Sequence, residues 1–379
     1  MKRYNLLILM SGGTTPVINA TLVGIVEEAK KLNNNIKIFS GNPGIDGVLN
    51  NSFLDLSRLP NSQLASLSSM PGSHFTGTTR LKKLNSKEIL KFETNLLNKN
   101  IKFIINIGGN GTLKQTIDLS QRLKKFDFAS CPKTVDNDLG DNKFNKMLYT
   151  PGFTSCMKIW KFFLDMINLE NLGAHTHDKI IISQTFGRET GFICGSLRFW
   201  DPKRKLPIML LLPEDNQPFN KILSFIKKKM KLYNRLMIFI SEGYKIGNIN
   251  PLYDKSGQIM YGSSKSSCSQ ELSNKLNQKG IQTRVFNPTI LQRVFRYKND
   301  ILDLKDQSFA KKVGKFAVKS LLNNKKSFLT GLSAKQNLIH IPFDQCNNLS
   351  RKMPKEFINK NYFDVSDKYI SYLRKIVSK

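Results

Sequence analysis

The strongest constraint on this chain is a rhythm in its first half, where short apolar runs alternate with amphipathic stretches. Tyr4 to Met10 is apolar and ends in a glycine turn, and Pro16 to Leu32 then carries Val17, Leu22, Ile25, Val26 and Ala29 at helical spacing. Ile36 to Phe39 reads as a second strand, Leu84 to Asn98 as a helix, Ile101 to Ile107 as an isoleucine-rich strand and Thr112 to Leu123 as a helix. Strand and helix in alternation demand a parallel sheet with helices on both faces. In such sheets the ligand loops lie at the carboxyl ends of the strands. The second half repeats the style, with short apolar strands at Lys179 to Ser183, Ile208 to Leu212 and Leu236 to Ile240. An α/β chain of two Rossmann-like lobes, with parallel-rich sheets flanked by helices, is therefore expected. The polar, irregular stretch around residues 139–150 reads as the crossing between them. Neither heptads nor an internal repeat suggests another architecture.

The 379 residues suffice for two lobes with real cores, and 40% hydrophobic content suits a globular protein. Since no run approaches the roughly 18 to 20 apolar residues needed to cross a bilayer, no membrane association is expected. Met1 to Met10 reads as a first strand, because no small-residue cleavage pattern follows it. Cys131, Cys156, Cys194, Cys268 and Cys346 are scattered and form no CxxC pair. They read as reduced thiols, with a cytoplasmic location as the expectation. The net charge of +31 admits a nucleic-acid reading, but the basic residues are spread along the chain. Clusters such as Lys227-Lys228-Lys229 sit on a helix-like segment and read as a solvated face. Compositional drift, with some benefit for anionic small substrates, is the preferred account, and no nucleic-acid partner is expected.

Two glycine loops follow strands: Ser11-Gly12-Gly13-Thr14-Thr15-Pro16 and Gly108-Gly109-Asn110-Gly111-Thr112. Glycine lets backbone N–H groups approach phosphate oxygens, and the following helix points its positive end at them. Each loop alone is equally an ordinary tight turn, and neither is a Walker or GxGxxG loop. Together they favour an anion site. The sharpest segment is Pro132-Lys133-Thr134-Val135-Asp136-Asn137-Asp138. One carboxylate can take a proton from an attacking hydroxyl, the other can help hold Mg²⁺, and Lys133 can balance the charge of a transferring phosphate. The composition suits an Asp/Asn-rich turn just as well, and on spacing alone the two readings stand level. His175 and His177 resemble a metal pair by type, but with no third ligand nearby a solvated loop is preferred.

The phrase PKTVDNDL, with GGTTPVINA upstream and GGNGT between, resembles the phosphofructokinase family, most closely its bacterial pyrophosphate-dependent branch. GIDGVLN (Gly44 to Asn50), TPGF (Thr150 to Phe153), FGRETGF (Phe186 to Phe192), LPE (Leu212 to Glu214), SEG (Ser241 to Gly243), LQR (Leu291 to Arg293) and KMPKEFI (Lys352 to Ile358) follow in the family's order. The resemblance implies the phosphofructokinase fold, with the active site in the cleft between the lobes. It implies a donor-binding lobe at 1–147 with a return segment near 290–340, and a sugar-phosphate lobe at 148–289 with a carboxyl-terminal segment near 341–379. It also implies roles. Asp136 would deprotonate the 1-hydroxyl of fructose 6-phosphate, with Lys133 stabilising the transferring phosphate and Asp138 assisting at metal and phosphate. Thr134 and Val135 would contact the sugar, and Phe186, Gly187 and Arg188 would bind the sugar phosphate. Glu242 would accept hydrogen bonds from sugar hydroxyls, and Arg284, Ile290 and Arg293 would lie at the 6-phosphate, with both arginines gripping it. Gly12, Gly13, Gly109, Asn110, Gly111 and Thr112 would line the donor, with Asn110 at a magnesium-associated position. Lys179 matches an interface arginine of many relatives, which implies a homodimer or homotetramer.

The pattern departs in three places. Gly111 stands where pyrophosphate users usually carry an Asp that fills the space of a nucleotide's α-phosphate. Thr289-Ile290 replaces a Gly-Tyr or Gly-His, and isoleucine cannot donate to a sugar phosphate. Tyr261-Gly262-Ser263 replaces a Phe-Gly-His. The Lys133–Asp138 cluster is complete, so the expectation is a glycolytic, magnesium-dependent transferase using fructose 6-phosphate and, on the whole-chain resemblance, pyrophosphate. ATP as donor is the first alternative. A non-catalytic sugar-phosphate-binding subunit is the second, and a kinase of the NAD-kinase or lipid-kinase type is weighed against by PKTVDNDL and FGR.

Overall fold

The computed structural model describes residues 4–33, 35–70, 75–80, 83–174, 176–254, 257, 259–294 and 304–377. The chain divides into two compact units, described separately. Unit one comprises residues 1–134, 139–152 and 293–350; unit two comprises 135–138, 153–292 and 351–379. Unit one thus runs beyond the expected limits near 147 and 340, and the four residues Val135–Asp138 belong with unit two.

Unit one opens with β1 (Asn5–Met10), α1 (Pro16–Leu32), β2 (Ile38–Gly41), α2 (Gly44–Leu49), β3 (Phe53–Asp55) and α3 (Asn61–Ser69). α4 (Ser86–Asn98), β4 (Ile101–Gly108), α5 (Asn110–Arg122) and β5 (Asp127–Pro132) follow. Capping is visible at α4, where the Asn85 side chain accepts from Glu88 N–H and the Glu88 carboxylate accepts from Asn85 N–H, both at 3.0 Å. Unit two contributes α6 (Phe153–Gly173), β6 (Ile180–Thr185), α7 (Phe192–Trp200), β7 (Ile208–Leu211), α8 (Phe219–Tyr233), β8 (Leu236–Ser241), α9 (Cys268–Asn277) and β9 (Arg284–Val285). The chain returns to unit one for α10 (Leu304–Leu322), β10 (Phe328–Leu332) and β11 (Leu338–Pro342), and ends in unit two with α11 (Asp367–Ile376).

The sheet of unit one has the order β11-β10-β5-β4-β1-β2-β3. β10, β5, β4, β1 and β2 are parallel, and the antiparallel β3 and β11 close the edges. Leu6 to Met10 are all buried, as a strand covered on both faces requires. From β1 the chain winds outward to β2, while β4 lies on the other flank of β1. The switch in winding direction therefore falls between β1 and β4, where open α/β sheets bind ligands.

The sheet of unit two has the order β7-β8-β6-β9 and is parallel throughout. Its residues alternate between faces. Leu236, Ile238 and Ile240 pack in one cluster with Ile222 and Ile226 of α8 and Leu272 and Leu276 of α9. On the opposite face Phe239 meets Trp160 of α6 edge-on, with ring centroids 6.0 Å apart. Among the described residues, no helix is long and apolar enough to cross a membrane.

Candidate active site

In unit one, three neighbouring parallel strands deliver the predicted donor residues at their carboxyl ends. β1 ends at Met10, and Ser11 Oγ and Gly12 N–H both donate to Thr79 O, at 2.8 and 2.9 Å. Gly12 takes a φ of +86°, which suits glycine. β4 ends at Gly108, Gly109 is the N-cap of α5, and Asn110, Gly111 and Thr112 form its first turn. The orphan N–H groups of that turn and the positive end of the helix dipole make it an anion-facing terminus. β5 ends at Pro132, and Lys133 is only 4% exposed. Its N–H donates to Gly108 O at 2.8 Å, and its Nζ donates to Gly13 O at 2.8 Å. A lysine buried this deeply requires polar partners, and it joins the two glycine turns that straddle the switch point. Thr134 continues the segment, its carbonyl accepting from Thr150 Oγ1 at 2.8 Å.

Unit two gathers the predicted sugar residues at the ends of β6 and β8. β6 runs into Phe186-Gly187-Arg188 and β8 into Glu242. Arg188 is left-handed (φ +51°), and its N–H donates to Glu242 Oε1 at 3.0 Å. Thr190 Oγ1 donates to Gly187 O at 2.9 Å and to Asp136 O at 3.3 Å. Thr190 thus ties the Asp136 backbone to the Gly187–Arg188 turn, which Glu242 holds through Arg188 N–H, and Val135 is buried. Gln292 Oε1 accepts from Phe186 N–H at 2.8 Å and from Trp160 Nε1 at 3.0 Å, fixing the approach to the Phe186 turn. Burial, and after it the charge of Glu242, push the Tyr261 phenol up to about 12, so Tyr261 lies in the field of that carboxylate.

Asn137, between the two aspartates, is fully buried and left-handed (φ +56°). Its Nδ2 donates to Tyr372 Oη at 3.0 Å, and Arg351 donates from Nε to its carbonyl at 2.8 Å and from Nη2 to its Oδ1 at 2.5 Å. Arg351 N–H also donates to Asp138 O at 2.8 Å. Sequence reading missed Arg351 and Tyr372. Arg351 directly precedes the KMPKEFI phrase, which was the one available signal, but nothing local distinguishes a buried arginine from a surface one.

Other predicted residues fall elsewhere. Arg284 pairs in register with Ile181, early in β6, whereas Phe186 follows the end of that strand. It forms ion pairs with Asp178 at 2.8 Å and Glu170 at 3.2 Å. Within this chain it is therefore not brought to the Arg188 turn. Ile290 is 55% exposed on a short 3₁₀ turn, Thr289–Gln292. Arg293 belongs to unit one, and its guanidinium lies beside Gly13. Lys179 donates to Asn234 Oδ1 at 3.0 Å. His177 engages Thr176 Oγ1 at 3.0 Å, and His175 lies outside the described residues. Among the described residues, no group of three His, Cys, Asp or Glu side chains gathers to hold a metal. A magnesium ion carried by substrate phosphates needs no such cage, because it keeps several waters and takes one or two protein oxygens.

The phosphofructokinase family model matches residues 5–321. A pyrophosphate–fructose 6-phosphate 1-phosphotransferase of Xanthomonas campestris is 26% identical over 400 residues, covering 100% of this chain and 92% of that protein. An ATP-dependent 6-phosphofructokinase of Staphylococcus epidermidis is 24% identical, covering 71% of this chain and 82% of that protein. Among solved structures, a pyrophosphate-dependent phosphofructokinase of Nitrosospira multiformis superposes with a TM-score of 0.85 at 22% identity, covering 100% and 92% of the two chains.

Proposed function

Because the chain belongs to the phosphofructokinase family, we propose that it transfers a phosphoryl group from inorganic pyrophosphate to the 1-hydroxyl of fructose 6-phosphate. The relatives named for that reaction match along the whole chain. The observation that carries the reading is the Lys133–Asp138 segment. Lys133 reaches the donor turn at Gly13, while Asp136 is tied through Thr190 to the Gly187–Arg188 turn. Three residues apart, the two keep their Cα atoms within about 11 Å by chain length alone.

In the proposed reaction the sugar O1–H gives its proton to Asp136 as O1 bonds to phosphorus. The bridging P–O bond of pyrophosphate breaks and orthophosphate leaves, the Lys133 ammonium balancing charge on the migrating group. Arg188 and Glu242 orient the sugar. Magnesium, when bound, would supply charge neutralisation on the donor, and Asn110 is the residue that would face it. Gly111 favours ATP as the alternative donor, because it has no side chain to fill the space of an α-phosphate. All five cysteines are buried and none forms a disulfide, which fits a reducing cytoplasm.

A homo-oligomer is also proposed. Phe162, Met166 and Leu169, at i, i+4 and i+7 on α6, are each about half exposed or more (49%, 52% and 62%) and make an apolar stripe suited to a second copy. Sedimentation of the purified protein tests this.

The decisive experiment assays the purified chain with fructose 6-phosphate, magnesium and either donor, beside an Asp136→Asn variant. Turnover with pyrophosphate is expected, with the variant losing about 10²- to 10⁴-fold in kcat while still binding fructose 6-phosphate. Turnover with ATP alone overturns the donor assignment, and an unchanged rate in the variant removes Asp136 from its role.

A further inference from the structure

We propose that Asp306, buried at the start of α10, is a positioning residue for phosphoryl transfer: it holds Gly152 and, through it, the backbone of the Lys133–Thr134 segment. This rests on the phosphofructokinase reading and adds a residue outside every motif that carries the family resemblance. Asp306 lies in the first turn of α10 and is 1% exposed. A carboxylate so deeply buried needs polar compensation, and the positive end of the helix dipole favours it there. Gly152 N–H donates to both of its oxygens, at 3.1 Å each. Gly152 takes a φ of +106°, which suits glycine, and stands opposite Thr134 in a parallel bridge. Thr134 N–H donates to Pro151 O at 3.3 Å, and Thr134 O accepts from Thr150 Oγ1 at 2.8 Å. Both backbone polar groups of Thr134 are therefore engaged by the stretch that Asp306 pins. All of these residues belong to unit one.

The helix that carries Asp306 is packed backbone to backbone on α1. A Cβ placed on Gly24 of α1 would sit 2.2 Å from Lys311 O of α10, and one on Gly314 of α10 would sit 2.2 Å from Thr21 O of α1. Each helix thus makes room for the other with a glycine, which fixes α10 against α1 along its length. Phe309, three residues after Asp306, meets the Tyr149 ring with centroids 4.9 Å apart, so α10 grips the 149–152 stretch at two points. α1 begins directly after the Gly12-Gly13 turn, and Lys133 Nζ donates to Gly13 O at 2.8 Å. α10 therefore braces the donor turn through α1 and the Lys133–Thr134 backbone through Asp306. Where a displacement of about 1 Å costs about a hundredfold in rate, such a brace bears on turnover as well as on folding.

The test is steady-state kinetics on the full chain with whichever donor the wild type uses, beside thermal melting and hydrogen exchange at the Gly152 and Thr134 amides. Asp306→Ala removes both acceptors and should lower kcat about ten- to a hundredfold, with little change in KM for fructose 6-phosphate. Asp306→Asn keeps one acceptor for Gly152 N–H and should recover most of that rate. Thr150→Val removes the other tie to Thr134 and should lower kcat in the same way. The two losses should be non-additive in the double variant, because both act through Thr134. An unchanged kcat in a folded Asp306→Ala overturns the proposal, as does a loss in Asp306→Asn equal to that in Asp306→Ala. Should Asp306→Ala not fold, Thr150→Val decides, and its unchanged kcat overturns the proposal. A wild-type chain that turns over with neither donor sinks the functional reading, and exchange then decides for Asp306. Faster exchange at Gly152 and Thr134 in Asp306→Ala, with the β1 and β4 amides unchanged, upholds its grip on the segment; unchanged exchange at both overturns it.

Discussion

Arg351 grips Asn137 across 214 residues of chain, donating from Nε to its carbonyl at 2.8 Å and from Nη2 to its side-chain oxygen at 2.5 Å. The guanidinium is 1% exposed and lies over the Phe192 ring, 5.5 Å from its centroid. Asn137 stands between Asp136 and Asp138 in a left-handed conformation that an L-residue adopts at a cost. The fork of Arg351 and the hydroxyl of Tyr372 hold it there.

Arg351 is therefore a positioning residue. Arg351→Lys keeps the charge but loses the fork, and a displacement of about 1 Å at the aspartates costs about a hundredfold in rate. The expected result is that loss in kcat with little change in KM for fructose 6-phosphate. Equal loss of both, or a fall in thermal stability alone, assigns Arg351 a purely structural task. Tyr372→Phe removes one neutral hydrogen bond to Asn137 and should cost about 1 kcal/mol of stability.

Thr289 is left-handed (φ +44°), a conformation in which a β-branched residue is strained. Thr289→Gly should stabilise the protein by about 1 kcal/mol, the strain relieved less the added freedom of glycine in the unfolded chain. The neighbouring Ile290 side chain has no donor. Ile290→His adds one at the position where the family resemblance implies the sugar phosphate, and should lower KM for fructose 6-phosphate by roughly tenfold. Steady-state kinetics on the two variants separate these effects, and a Thr289→Gly melt below that of the wild type rules out strain at this residue.

Gly111 lies in the first turn of α5, where a carboxylate is favoured by the helix dipole by about 0.3–1 kcal/mol. Gly111→Asp should therefore fold. It should leave turnover with pyrophosphate near the wild-type level and abolish any turnover with ATP, by filling the space of an α-phosphate. Retained ATP turnover in this variant would show that the nucleotide lies elsewhere.

Glu214 Oε1 accepts from Met353 N–H at 2.8 Å and Gly191 N–H at 3.1 Å, while its buried Oε2 has no hydrogen-bond partner among the described residues. Burial raises the carboxyl above its ordinary value of 4.5, against the opposing pull of the two N–H groups. A raised folded value means that the folded protein holds this proton more tightly than the unfolded chain does. The contribution is full below pH 4.5 and is lost as pH climbs through the raised value. Glu214→Gln removes that loss. Melting curves from pH 4.5 to neutrality should show the variant gaining on the wild type as pH rises, and a constant difference would contradict the assignment.

The α/β alternation, with β1, α1, β2, α4, β4, α5, β6, β7 and β8, was legible in the sequence because periodicity and glycine punctuation are local properties, whereas short or edge strands such as β3, β9 and β11 carry too little periodicity to be read. Also legible were the glycine turns, the Lys133–Asp138 segment and the Arg188 and Glu242 loops, since all of them follow strands and parallel sheets put ligand loops at strand ends. Distances between remote side chains are not local. Arg284, Arg293 and Arg351 look alike in sequence, but folding sends them to three fates: paired with Asp178 and Glu170, laid against Gly13, or buried on Asn137. A guanidinium on a long side chain takes its role from whatever the tertiary structure brings within reach of it.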